Sequence, residues 1–185
     1  MSFLPEGYKV PATGGSYMKF KIGENRFRFL CSPIVGYGWW EDVDGGRKPK
    51  RVKKSEGVPV EHAEDMKHFW ASVVWNFDDE RIQILEITQK GIMLSLSGLS
   101  KDNDWGSPVG NRGYDIVVTR EGEGLETKYE VRSKPKRELD EGITQLYKDM
   151  KINLDALYAG DDPFSTNSTD RAEKIADEVF NKLDK

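Results

Sequence analysis

From Tyr17 onward the chain alternates apolar and polar residues. Met18, Phe20 and Ile22 point one way; Tyr17, Lys19 and Lys21 point the other. After Gly23-Glu24-Asn25, Phe27, Phe29 and Cys31 alternate with Arg26, Arg28 and Leu30. Period two puts successive side chains on opposite faces of a strand. The pattern predicts strands on both sides of a turn at 23–25, with Lys19, Lys21, Arg26 and Arg28 on an open face. Phe69 to Phe77 is rich in aromatic and β-branched residues. The acidic turn Asp78-Asp79-Glu80 and a second apolar run, Ile82 to Ile87, follow, which together read as a hairpin. Tyr114–Arg120 and Thr127–Arg132, joined by Glu121-Gly122-Glu123-Gly124, read as another.

Two regions change period. Ile92, Leu96 and Leu99 are spaced by four and three behind Thr88, a candidate N-cap, and predict a helix of about three turns. Leu139, Ile143, Leu146, Tyr147 and Met150, continued by Ile152, Leu154 and Leu157, predict a helical extension over 138–160 that stops at Gly160. Ala172, Ile175, Ala176, Val179, Phe180 and Leu183 form an apolar stripe within the last segment, 161–185. Residues 1–15, with Pro5, Pro11, Gly14 and Gly15, read as an N-terminal arm. The stretch from Gly36 to Lys67 reads as a long loop, with a short helix at 61–67. The order is strand, long loop, strand, hairpin, strand, helix, strand, hairpin, strand. A helix between the third and fourth strands of a five-stranded barrel is the OB-fold order. The fold expected is therefore mainly β, a five-stranded OB barrel over 16–137, with C-terminal helices.

Composition narrows the function. Hydrophobic residues make up 37% of the 185, with 18 glycines besides, which rules out wholesale disorder. No apolar stretch reaches 18 residues, so no membrane span is expected, and the first fifteen residues show no secretory pattern. One cysteine and two histidines are too few for a Cys/His zinc site, so no metal or cofactor is expected. The net charge of −4 argues against a polyanionic partner until it is divided along the chain. Residues 1–54 carry 11 Lys/Arg against 5 Asp/Glu, while 138–185 carry 6 against 12. The sharpest basic block is Arg47, Lys48, Lys50, Arg51, Lys53 and Lys54, preceded by Tyr37, Trp39 and Trp40. In the OB order this block falls in the first–second loop, one of the loops with which that fold grips oligonucleotides.

Several segments also carry a resemblance. Gly-Glu-Asn-Arg-Phe-Arg-Phe-Leu (23–30), Gly-Trp-Trp (38–40), His-Phe-Trp-Ala-Ser-Val-Val-Trp-Asn-Phe (68–77), Ile-Gln-Ile-Leu-Glu-Ile-Thr-Gln-Lys (82–90), Trp-Gly-Ser-Pro (105–108) and the run from Tyr114 to Val131 occur in one order. Together, over about residues 16–137, they resemble tailed-phage single-stranded DNA-binding proteins. The resemblance implies an OB core, no enzymatic activity, and a role in coating single strands during phage DNA replication, recombination or repair. That work takes place in the cytoplasm of the bacterial host. Some larger relatives hold a structural zinc, whose ligands this chain lacks.

A single-strand binder needs cations for phosphates and flat rings for bases. The block 47–54 suits the first need, with a solvated loop as the alternative. Lys19, Lys21, Arg26, Arg28 and Arg132 are further phosphate candidates. Of Trp39 and Trp40, adjacent on an extended segment, one is expected to point inward and the other out. Trp70, on the face of Ser72 and Asn76, is a stacking candidate, whereas Trp75 is expected in the core. Tyr37 and Tyr114 complete the set. His62 and His68 read as surface or hydrogen-bonded residues, and Cys31 as buried and inert. Trp105 reads as a lid on the helix. The acidic C-terminal part is the expected docking element for phage or host replication or recombination proteins. Two other classes compete: a protein-interaction module docking through its C-terminal helix, and a metal-dependent nuclease using Asp78/Asp79 or Asp102/Asp104.

Overall fold

A computed structural model describes residues 15–165. The arm up to residue 14 and the apolar stripe at 172–183 lie outside the described residues. The described residues are mainly β, a mixed sheet of eight strands with three α-helices. The elements are β1 (Tyr17–Met18), β2 (Gly23–Phe29), β3 (Ile34–Val43), β4 (Gly46–Lys53), β5 (Lys67–Asn76), β6 (Arg81–Ile87), α1 (Lys90–Lys101), β7 (Ile116–Glu121), β8 (Lys128–Ser133), α2 (Glu141–Met150) and α3 (Ala156–Ala159). They divide into two compact units, one of residues 1–33 and 71–139, the other of 34–70 and 140–185.

In the first unit the strands run in the order β1-β6-β5-β2-β7-β8, an open path rather than a closed barrel among the described residues. β1 is parallel to β6, and β2 is antiparallel to both β5 and β7. The apolar face expected from the alternation forms the core: Phe27, Phe29, Ala71, Val73, Ile84, Ile116 and Val118 are buried. Phe27 meets Phe29 edge-on at 5.2 Å between ring centroids. Ile92, Met93 and Leu96 bury one face of α1, as the helical spacing requires. The two expected hairpins form, β5–β6 around Asp78–Glu80 and β7–β8 around Gly122–Thr127. The N-cap of α1 is Gln89 rather than Thr88.

The turn expected at 23–25 is displaced toward the N-terminus. Asn25 is buried within β2, and its side chain accepts from Lys21 N and donates to the carbonyls of Lys21, Gly23 and Val118 at 2.8–3.1 Å. One amide thus satisfies the backbone at Lys21 and Gly23, around the bend at Ile22, and ties it to β7. Only Tyr17–Met18 of the first predicted strand remains extended.

In the second unit, much of the predicted loop is an antiparallel hairpin. β3 and β4 pair from Gly36↔Lys53 to Val43↔Gly46, leaving Asp44-Gly45 as a two-residue connection. Gly45 and Gly46 have φ of 94° and 139°, which glycine reaches without a Cβ clash. β3 also pairs with β5, and α3 lies against β4. A Cβ on Gly36 would stand 2.2 Å from the Val52 carbonyl and 3.1 Å from the Phe69 ring, so the ribbon closes only because this position is bare. The short helix predicted at 61–67 is a 3-10 turn at Val60–His62. The helical run predicted over 138–160 is broken: Asp140 caps α2, Lys151 ends it in the left-handed region at φ 47°, and α3 resumes at Ala156. Gly160 stops α3 as expected.

Candidate nucleic-acid interface

The β3–β4 pairing decides where each cation of the basic block points. Side chains alternate across the ribbon, and cross-strand partners share a face. Trp40, Asp42, Arg47, Pro49, Arg51 and Lys53 therefore lie on one face, and Tyr37, Trp39, Glu41, Lys48, Lys50 and Val52 on the other. Lys54 begins the 3-10 turn that follows.

On the first face Trp40 is 58% exposed, opposite Pro49. Arg47 Nε pairs with Asp42 at 3.1 Å. The Arg51 guanidinium lies 5.8 Å from the Phe69 ring centre, and Lys53 Nζ lies 5.6 Å from that of Tyr158. The two glycines of β3, Gly36 and Gly38, leave the room into which Phe69 packs.

On the second face Trp39 is buried and stacked on His62, centroids 4.8 Å apart and planes 18° apart. Its indole N–H has no partner among the described residues. Adjacent tryptophans thus face opposite ways as expected, Trp39 inward and Trp40 outward. Lys50, the cross-strand neighbour of Trp39, reaches Glu41 at 3.6 Å, and Lys48 is exposed. Tyr37 is half-buried, 5.4 Å from the His68 ring. His68 Nδ1 lies 2.8 Å from the Gly36 carbonyl, and its Nε2 accepts the Trp70 indole N–H at 3.2 Å. With Nε2 accepting, the Nδ1 contact is satisfied by donation to the Gly36 carbonyl. Trp70 is half-buried with its N–H engaged.

The remaining candidates belong to the first unit, and there the structure corrects the expected open face. Arg28 is fully buried. Its guanidinium binds Asp115 Oδ1 (Nε at 2.8 Å, Nη2 at 2.7 Å) and donates to the carbonyls of Gly110 and Arg137. Burial lowers the Arg28 pKa, and the Asp115 carboxylate opposes that shift. Arg28 is an internal strut. Tyr114 is also buried; its hydroxyl donates to Gly106 O at 2.9 Å, and burial, reinforced by Asp102, raises its pKa. It is core and offers no ring to a base. Trp105 packs edge-on against Tyr114 at 5.2 Å. Trp75, expected in the core, is half-buried.

Lys19 is exposed, Lys21 Nζ pairs with Asp79 at 3.1 Å, and Arg132 pairs with Glu24. Arg26 is half-buried: Nε and Nη2 bind Asp115 Oδ2 at 3.0 and 2.5 Å, and its guanidinium carbon lies 4.4 Å from the Phe77 ring centre. Sequence reasoning missed Asp115 and Phe77. Among the described residues no cluster of three or more His, Cys, Asp or Glu side chains could hold a metal ion, and no helix is long and apolar enough to cross a membrane. The chain matches no protein-family model and no curated protein.

Proposed function

We propose that the protein is a sequence-independent single-stranded DNA-binding protein of the tailed-phage type. It coats single strands in replication, recombination or repair in the host cytoplasm, without catalysis. One observation carries this reading: the β3–β4 hairpin gathers five cations of the basic block on one ribbon, Arg47, Arg51 and Lys53 on the face of the exposed Trp40 and Lys48 and Lys50 on the other, with Lys54 next in the chain. An exposed tryptophan beside lysines and arginines offers a ring to a base and cations to its phosphates. A stacked base is worth about 1–3 kcal/mol, and stacking accepts any base.

The strand order supports an OB reading of the first unit. β2 lies between β5 and β7, β6 lies beside β5, and β8 lies beside β7, with α1 between β6 and β7 in the chain. We count β2, β5, β6, β7 and β8 as the five strands of an OB-type order whose β6–β8 seam is unpaired among the described residues. The hairpin then occupies the first–second connection. The acidic segment 161–185 is the proposed contact for replication or recombination proteins.

Titration of the full chain with oligo-dT at two salt concentrations, following tryptophan emission, tests the reading. We expect a change in emission on binding and a steep loss of affinity with salt. Unchanged emission with no binding at low salt overturns it.

A further inference from the structure

In the first unit, three guanidiniums converge on one carboxylate. Asp115 is fully buried. Its Oδ1 receives Arg28; its Oδ2 receives Arg26 and, at 3.2 Å, Arg137 Nη2. Three positive charges face a single negative one, so the cluster holds a formal excess of two. Arg28 spends its other donors on backbone carbonyls and has no surface. The excess therefore reaches solvent through Arg26 and Arg137, whose side chains are 33% and 53% exposed. Both lie against Phe77, with guanidinium carbons 4.4 and 5.6 Å from its ring centre. Stacking on a ring fixes the plane of a guanidinium, and a fixed fork matches the geometry of a phosphate oxyanion.

A structural clamp on Asp115 accounts for Arg28. It does not account for two more arginines on the same carboxylate, because each guanidinium repels the others. A bound anion relieves that repulsion.

We propose that Arg26 and Arg137, held by Asp115 and Phe77, form a phosphate-binding site that takes a backbone phosphodiester of single-stranded DNA. This rests on the single-strand-binding reading, and it adds a contact separate from the hairpin.

The test measures oligo-dT affinity by anisotropy across a salt series for the wild-type chain, Arg137→Gln, Arg137→Lys and the hairpin variant Lys48→Gln/Lys50→Gln. Thermal melts confirm folding. Losing one phosphate contact on a single strand should lower the slope of log affinity against log salt by about 0.7, with affinity weakened roughly three-fold at low salt. Arg137→Lys, which keeps the charge, should fall between Arg137→Gln and the wild type. If Arg137→Gln matches the wild type in slope and affinity while the hairpin variant weakens, the site takes no DNA phosphate and only this inference falls. If the wild-type chain does not bind oligo-dT, the single-strand-binding reading falls first. Calorimetry with inorganic phosphate distinguishes the other source of the same chemistry. Phosphate binding lost in Arg137→Gln, with oligonucleotide binding unchanged, would assign the site to free phosphate and overturn the proposal. A second readout needs no variant. Saturating oligo-dT should shield Arg26 and Arg137 of the wild-type chain from phenylglyoxal, and equal labelling with and without DNA would contradict the site.

Discussion

Arg28 on β2 and Lys50 on β4 are both cations on antiparallel strands, each with a carboxylate in reach. Arg28 meets Asp115 at 2.7 Å with neither side chain exposed, while Lys50 meets Glu41 at 3.6 Å with both about half exposed. The first pair is walled off from water and bound by further hydrogen bonds, so removing one partner strands the other. The second is screened and interchangeable with solvent, as exposed pairs generally are. Two cations that look alike on paper therefore have different physical roles. In the first unit the buried cation has become part of the framework. On the hairpin the cations stay available to an outside polyanion.

Breaking the framework should have the largest effect. Asp115→Asn keeps the shape but removes the only negative charge among three guanidiniums. We expect a loss of about 3–5 kcal/mol of stability, measured by denaturant unfolding. A loss under about 1 kcal/mol would mean the cluster is not structural and would erase the contrast with the hairpin. Trp40→Ala sharpens the other side. It removes an exposed ring, so the melting temperature should barely move, while oligo-dT affinity should drop roughly ten-fold, the worth of a stacked base. A large stability loss with unchanged affinity would place Trp40 among packing residues.

The alternation that predicted the strands survived in the structure because it reflects burial: Phe27, Phe29, Ala71 and Val73 line the core as their parity requires. Both acidic or glycine-rich turns were legible for the same local reason. The β3–β4 hairpin was not read: lysine density and scattered glycines made the stretch look like a loop, although Asp44-Gly45 forms its two-residue connection. Three features were beyond any local reading. Asn25 moves a turn because its amide reaches Val118, 93 residues away. Arg28 turns inward because Asp115 waits 87 residues on. Tyr114 is core because its hydroxyl finds the Gly106 carbonyl. In each case one side chain found a polar partner elsewhere in the fold, and hydropathy patterns carry no record of such pairs. For the candidate site, the residue types were readable in the sequence, but which face each cation takes follows only from the β3–β4 register.

The central claim is that the hairpin cations are held for a single strand rather than for solvent. The most direct test reverses charge at three exposed positions, Lys48→Glu, Lys50→Glu and Lys54→Glu together, and measures oligo-dT affinity against salt. If these lysines neutralise phosphates, the triple variant should fold as the wild type, bind far more weakly, and lose roughly 2 from the log–log salt slope. An unchanged affinity and slope in a folded triple variant would show that the ribbon is merely solvated, and would contradict the account.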